Sequence, residues 1–220
     1  MAITYHAGRR IQGTSTDFGT DGAGIPAVSG GWKELGRTTL GSAGDTITVS
    51  GLPDKRYYMT LVNDTGTGGN PNYRLRFNSD SGSNYSIRRS EDGNADATKI
   101  NQAQQDYGND YIGGTQVFGC AYHSNLASKE KLTIGNFMGQ NTAGAGSAPI
   151  KRLELVGKWD NTSDVISSMS LHNLNTGDFN TGAEFVVLGW DDSDTHTTNF
   201  WEELASVSGD GTSTTLSSGT

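Results

Sequence analysis

The chain of 220 residues has a single cysteine, Cys120, which excludes an intrachain disulfide framework. Its setting, Val-Phe-Gly-Cys-Ala-Tyr, favours a small buried hydrophobic side chain over a reactive thiol. No apolar run reaches membrane-spanning length, and the first ten residues lack the apolar core of a signal peptide. We therefore expect a soluble protein made in a reducing cytosol, with no membrane insertion.

Long apolar runs of helical period are also missing, which argues against a helical fold. The one helical candidate is 97–107, inside a long polar connection at 90–110. Only 33% of the residues are hydrophobic, and 31 are glycine, which suits short strands joined by tight turns.

Basic residues are absent from the last part of the chain. Residues 1–158 hold all 16 Lys and Arg with 14 acids, whereas residues 159–220 hold 10 acids and no base. The formal net charge is −8, and an acidic balance argues against nucleic acid as a partner, since phosphate binding needs a basic surface.

Catalytic motifs are missing as well: there is no Gly-x-Ser-x-Gly, no His-Glu-x-x-His and no phosphate-cradling glycine loop. The four histidines are scattered. Glu154 and Glu184 would form a glycosidase pair only if their strands were adjacent and faced a cleft. We expect a protein that is not an enzyme and uses no cofactor.

Metal-ligand patterns are weak. Asp191, Asp192 and Asp194 could hold calcium, with His196 nearby for a transition metal, but a solvated linker is the simpler interpretation. A second set alternates like a short calcium loop but lacks the closing Glu, so we predict a turn there. Its members are Asn78, Asp80, Gly82 and Asn84.

What the sequence does contain is strand alternation, most clearly in residues 73–89. Apolar Tyr73, Leu75, Phe77, Tyr85 and Ile87 alternate with polar residues, around a turn-forming run at 78–84. The pattern predicts a β-hairpin whose outer face carries three arginines. These interface candidates are Arg74, Arg76 and Arg88. Their partner could be an acidic segment of a neighbouring copy, an anionic surface glycan or solvent.

Further strands are predicted at 32–40, 45–52, 57–63, 115–123, 131–140, 150–159, 165–174 and 184–190. Nine or ten strands with polar turns predict an all-β fold, an antiparallel jelly-roll-type β-sandwich over residues 32–190. Ile47, Val49, Leu153 and Leu155 are expected to face inward.

Both ends of the chain differ from this domain. Residues 1–31 are glycine-punctuated and predict a flexible N-terminal docking arm anchored by Arg9, Arg10 and Ile11. An acidic linker, 191–200, leads to Trp201-Glu-Glu-Leu, which repeats Trp32-Lys-Glu-Leu at an offset of 169. Residues 201–220 therefore predict the first strands of a second repeat, or an extra strand that is exchanged between copies.

Three stretches carry a resemblance to a known family: Gly-Trp-Lys-Glu-Leu-Gly-Arg-Thr-Thr-Leu (31–40), Leu-Arg-Phe-Asn-Ser-Asp-Ser-Gly-Ser-Asn-Tyr (75–85) and residues 166–190 from Ile-Ser-Ser-Met to Val-Leu-Gly-Trp. They resemble segments of jelly-roll virion proteins of tailed phages and related marine viruses. In that family such modules decorate capsids or build tail fibres, sometimes in tandem. The resemblance implies a structural or attachment role and offers no active-site residues to carry over.

The first hypothesis is therefore a homo-oligomeric virion protein, made in the host cytoplasm, released by lysis and bound to capsid or tail proteins. The alternative is a host-attachment module that binds carbohydrate through exposed Tyr107, Tyr111 or Tyr122. A third possibility is an extracellular filament subunit that exchanges its C-terminal strand, in which Trp201 would be an interface residue.

Overall fold

The computed structural model describes residues 32–64, 71–107, 116–140 and 142–191. Twelve strands form within these ranges. They are β1 (Lys33–Thr39), β2 (Thr46–Ser50), β3 (Tyr57–Asp64), β4 (Arg74–Phe77), β5 (Tyr85–Glu91), β6 (Ala97–Gln102), β7 (Gln105–Asp106), β8 (Gln116–Ser124), β9 (Lys131–Gln140), β10 (Lys151–Trp159), β11 (Ser168–His172) and β12 (Glu184–Trp190).

The strands form two antiparallel sheets packed as a sandwich. The large sheet has eight strands in the order β1-β12-β3-β8-β9-β10-β5-β6, and the small sheet has four in the order β2-β11-β4-β7. The prediction of an all-β antiparallel sandwich is confirmed. The helical candidate at 97–107 is wrong, because those residues pair as β6 with β5 and as β7 with β4. Within the described ranges no helix is long and apolar enough to cross a membrane.

The core lies between the two sheets, where apolar side chains alternate inward. Ile47, Val49, Leu153 and Leu155 are buried, as their alternation predicted. The largest contributors are aromatic, because rings bury the most area per residue. They include Trp159, Tyr58, Tyr73, Tyr85, Tyr107, Phe77, Phe179 and Phe185.

The predicted hairpin at 73–89 is wrong in one respect. Both arms are strands with the predicted inward residues, but β4 belongs to the small sheet and β5 to the large one. The connection crosses the sandwich because Phe77 and Tyr85 both enter the core, where the Tyr85 hydroxyl accepts a hydrogen bond from the Phe77 N–H at 3.0 Å. Asn78 and Ser79 adopt φ of 51° and 56°, a left-handed conformation that permits the sharp change of direction.

A buried ionic cluster joins the two sheets where β4, β5, β6 and β7 meet. Asp106 is 2% exposed, and its Oδ2 lies 2.6 Å from Lys99 Nζ and 3.1 Å from Arg89 Nη1. Arg74 Nη1 is 3.9 Å from the same oxygen. The Arg89 contact is close without being aligned as a hydrogen bond. We call these four residues the Asp106 cluster; it links small-sheet strands β4 and β7 to large-sheet strands β5 and β6.

Candidate functional site: the outer face of the large sheet

Strand β9 reverses the usual polarity of a sandwich strand. Lys131, Thr133 and Gly135 face the interior, whereas the apolar Leu132 and Ile134 face outward. Leu132 is 55% exposed and Ile134 is 60% exposed. An alternating strand normally buries its larger apolar side chains, so this orientation leaves apolar surface uncovered.

The inward residues of β9 account for the reversal, because Phe137, Thr133 and Lys131 each contact a partner in the interior. The Phe137 ring packs 4.8 Å from Tyr107 and fills the space left by Gly119, where a Cβ would lie 1.9 Å from the ring. Thr133 Oγ1 lies 3.0 Å from His123 Nδ1. Lys131 Nζ donates to the Asn161 carbonyl at 2.8 Å. With Phe137 in the core, the period of two places Leu132 and Ile134 outside.

The strands around β9 extend this apolar surface. Antiparallel register places Tyr122 of β8 beside Ile134 and Ile134 beside Val156 of β10, so the three side chains form one row across the sheet. We call the exposed set the outer apolar face. Its members are Phe118, Tyr122, Leu132, Ile134, Met138 and Val156.

An aromatic pocket opens at one end of this face. Trp32 packs against Tyr122 with ring centroids 5.9 Å apart, and Tyr57 stacks on Trp190 at 5.3 Å and 17°. These four rings, with Leu132 and neighbouring residues, line a depression of about 430 Å³. Its wall is almost wholly apolar, which suits an apolar or aromatic group better than a charged one.

Two polar side chains beneath the pocket are fixed in uncharged forms. His123 bonds to Thr60 Oγ1 at 3.1 Å as well as to Thr133, and burial lowers the pKa of His123 to about 3. Tyr58 donates its hydroxyl proton to the Pro53 carbonyl at 2.7 Å, and burial raises the pKa of Tyr58 to about 12. Neither group therefore supplies charge to the pocket at neutral pH.

Charged residues around the outer apolar face are paired within the chain. Arg88 Nε lies 2.7 Å from Asp96, Lys158 Nζ lies 2.9 Å from Glu130, and Arg152 Nε lies 3.8 Å from Glu154. The Glu130 carboxylate raises the pKa of Lys158. Each pair is neutral, so this part of the surface lacks the excess charge that a strongly charged partner would need.

The three arginines predicted to share one face do not do so. Arg76 lies on the small sheet, where it donates to Gln104 Oε1 at 2.9 Å, and Arg74 belongs to the Asp106 cluster. Arg88 lies on the outer face of the large sheet, on the other side of the sandwich. The correction follows from the sheet assignment of β4 and β5, which local alternation does not specify.

Of the aromatic residues predicted for sugar stacking, Tyr122 is 47% exposed, whereas Tyr107 is fully buried and cannot stack on a ligand. Cys120 is partly exposed beside Tyr122, contrary to the expected buried position. Trp32, Tyr57 and Trp190 were not anticipated. The sequence gives one indication of them, since Trp32 and Trp190 lie at the two ends of the predicted sandwich, 32–190. The pairing of β1 with β12 brings these two ends together.

Other predicted site residues are placed as follows. Asp191 accepts a hydrogen bond from the Arg56 N–H at 2.9 Å. Among the residues that the structure describes, no three His, Cys, Asp or Glu side chains are grouped to hold a metal ion. Several candidates fall outside the described residues, together with the arm and the linker: Arg9, Arg10, Ile11, Tyr111, Asp192, Asp194, His196 and Trp201.

Two motifs remain, the Glu154–Glu184 pair and the segment at 78–84, and the distances and hydrogen bonds of the structure decide both. Glu154 and Glu184 lie on strands separated by β3, β8 and β9, about 19 Å apart at ~4.8 Å per strand, too far for a glycosidase pair. The segment at 78–84 is a turn in which Asp80 accepts hydrogen bonds from the Gly82 N–H at 2.8 Å and Trp159 Nε1 at 2.7 Å.

No family model, no curated protein and no solved structure matches this chain.

Proposed function

We propose that the chain is a non-enzymatic structural protein of a virion, a module that decorates the capsid or builds a tail appendage. It would act by associating with copies of itself and with capsid or tail proteins. The observation that carries this proposal is the outer apolar face, because a group of large apolar side chains exposed on three neighbouring strands marks an interaction site.

The strand order supports a jelly-roll assignment. In the large sheet β1-β12-β3-β8 are neighbours, and in the small sheet β2-β11-β4-β7 are neighbours. Successive strands β1 to β4 alternate between the sheets, as do β11 and β12, and this alternation is what the double Greek key of a jelly roll requires. The hairpins β5-β6 and β9-β10 are then insertions that widen one sheet and carry part of the outer apolar face.

The direct test is to search purified virus particles for this chain by quantitative mass spectrometry. Many copies per particle are expected, and absence from intact particles would refute the proposal. The role of residues 1–31 is tested by adding full-length and arm-deleted chains to particles stripped of the protein. Equal incorporation of the two would refute docking by the arm while leaving the structural role intact.

A second function is favoured by the aromatic pocket, since Trp32 and Tyr122 could stack on a sugar ring. Under this hypothesis the protein is a host-attachment module. A glycan array probed with the full chain should then give hits that a Trp32→Ala variant loses. No binding at high protein concentration would remove this alternative.

A further inference from the structure

We infer that the Asp106 cluster binds one small monovalent anion, such as chloride, beside the guanidinium groups of Arg74 and Arg89. This site is separate from the outer apolar face, and the inference does not depend on the proposed virion role. The cluster links strands of both sheets, with Arg74 and Asp106 on the small sheet and Arg89 and Lys99 on the large one. A bound anion therefore stabilises the contact between the two sheets.

Three cations of the cluster share a single carboxylate oxygen. Asp106 Oδ2 lies 2.6 Å from Lys99 Nζ, 3.1 Å from Arg89 Nη1 and 3.9 Å from Arg74 Nη1. One carboxylate carries one negative charge, so it neutralises one of these three cations. The cluster needs further negative charge, because a buried ion without a partner is strongly unfavourable.

The neighbouring carboxylates supply part of this charge but do not complete it. Glu91 lies 3.9 Å from Arg89 Nη2, and the same carboxylate lies 3.9 Å from Lys151 Nζ. Lys151 also pairs with Asp92 at 3.1 Å. The connected network therefore has four cations and three carboxylates, which leaves one positive charge in excess. Its members are Arg74, Arg89, Lys99, Lys151, Glu91, Asp92 and Asp106.

Unpaired donors lie at the same place as the excess charge. The Arg89 side chain is only 4% exposed, and its Nε and Nη1 have no aligned acceptor among the residues that the structure describes. The same holds for Nε of Arg74. Buried donors need an acceptor, and guanidinium groups form their strongest hydrogen bonds with anions. Water would accept these hydrogen bonds but would leave the charge in excess, whereas a small anion provides both.

Exposure and charge restrict where the anion lies and how large it is. Arg74 is 17% exposed and Lys99 is 32% exposed, so an ion can approach from solvent on their side. Asp106 Oδ1 also lacks a donor, and this negative oxygen repels an anion. The anion is therefore placed beside the two arginine Nε groups and away from Oδ1. Because Arg89 is almost fully buried, the site suits chloride and excludes a bulky anion such as gluconate.

The experiment is urea unfolding of the full chain in sodium chloride from about 1 mM to about 100 mM, with sodium gluconate holding the ionic strength constant. A ligand that binds only the folded chain lowers the unfolding equilibrium constant as its concentration rises. For the wild type this constant should fall about 10-fold over the range, as a dissociation constant of about 10 mM requires. Arg74→Met removes the excess charge, so the constant should then change less than about 2-fold.

Arg88→Met is the matched control, because Arg88 is an exposed arginine paired with Asp96 outside the network, and it should keep the wild-type chloride dependence. If Arg74→Met does not fold, Lys99→Gln replaces it, since Lys99 is partly exposed and its loss also balances the charges. A wild type insensitive to chloride would overturn the inference and leave water as the partner of the arginines. Full chloride dependence in Arg74→Met or Lys99→Gln would overturn it too, because chloride would then bind elsewhere.

Discussion

The two outer faces of the sandwich differ in whether their side chains have bonding partners within the chain. The small sheet presents hydroxyls, His172 and arginines that bond to one another: Ser170 Oγ lies 2.8 Å from His172 Nε2, and Arg76 contacts Gln104. The large sheet presents Ile134 and its apolar neighbours, for which the described residues provide no cover. Polar groups can be satisfied within one chain or by water, whereas exposed apolar area is stabilised only by burial. The outer face of the small sheet therefore needs no binding partner, whereas the outer apolar face of the large sheet is suited to binding one.

The largest expected effect concerns the buried Asp106 cluster, which joins the two sheets. Asp106→Ala removes the carboxylate nearest to the buried Arg89 guanidinium (3.1 Å, against 3.9 Å for Glu91), so the free energy of unfolding should fall by about 3–5 kcal/mol. Asp96→Ala removes the partner of Arg88 on the large sheet, an exposed pair, and should cost less than ~1 kcal/mol. Urea unfolding at pH 7 measures both. Equal losses would contradict the contrast between the buried cluster and the exposed pair.

The next largest effect is the pH dependence of the unfolding free energy that comes from His123, which is buried between the two sheets. The pKa of His123 falls from its ordinary value of 6.5 to about 3 in the folded chain, so folding favours the neutral ring. Its stabilising contribution is complete above pH 6.5 and is lost as the pH falls toward 3. Between pH 7 and pH 5 the wild type should lose about 2 kcal/mol of stability from this residue.

His123→Gln should remove most of that dependence, and urea unfolding at the two pH values tests it. His172→Gln, on the small-sheet face, is a second test of the same effect. Burial, together with Arg76, lowers the pKa of His172, so this variant should also reduce the pH dependence of stability. A wild type equally stable at pH 7 and pH 5 would refute burial of a neutral His123.

A smaller difference in unfolding free energy is expected between alanine variants of two arginines. Arg76→Ala removes hydrogen bonds to Gln104 at 2.9 Å and to the Ala103 carbonyl at 3.3 Å, and should cost about 1–2 kcal/mol. Arg88→Ala removes an exposed ion pair and should cost less than ~1 kcal/mol. Thermal or urea unfolding ranks the two; the reverse order would mean that the large-sheet face is the more constrained.

The smallest stability effect belongs to the outer apolar face itself. Replacing Leu132 and Ile134 together by Thr should change the unfolding free energy by about 1 kcal/mol or less, since both are more than half exposed. Binding of a hydrophobic fluorescent dye should fall clearly, whereas Thr48→Ser on the small sheet should leave it unchanged. Undiminished dye binding by the double variant would show that the apolar surface lies elsewhere.

Strand alternation predicted much of this fold. Residues 131–140 and 184–190 are strands with the predicted bounds, and the inward positions of Ile47 and Leu153 are confirmed. The candidate site was predicted less well. Only Tyr122 was named in advance, because the orientation of β9 depends on the partners that Phe137, Thr133 and Lys131 find in parts of the chain distant in sequence or on a neighbouring strand.

By itself, the order of apolar and polar residues determined that the chain is built of strands and which side chains most of them bury, since a pleated strand turns alternate residues to opposite sides. Sheet membership was decided only in three dimensions. Arg76 and Arg88 lie on opposite sides of the sandwich, Tyr107 is buried and Ile134 is exposed. The local sequence alone allows either orientation of such a strand. Pairing between strands that are distant in sequence selects one of the two.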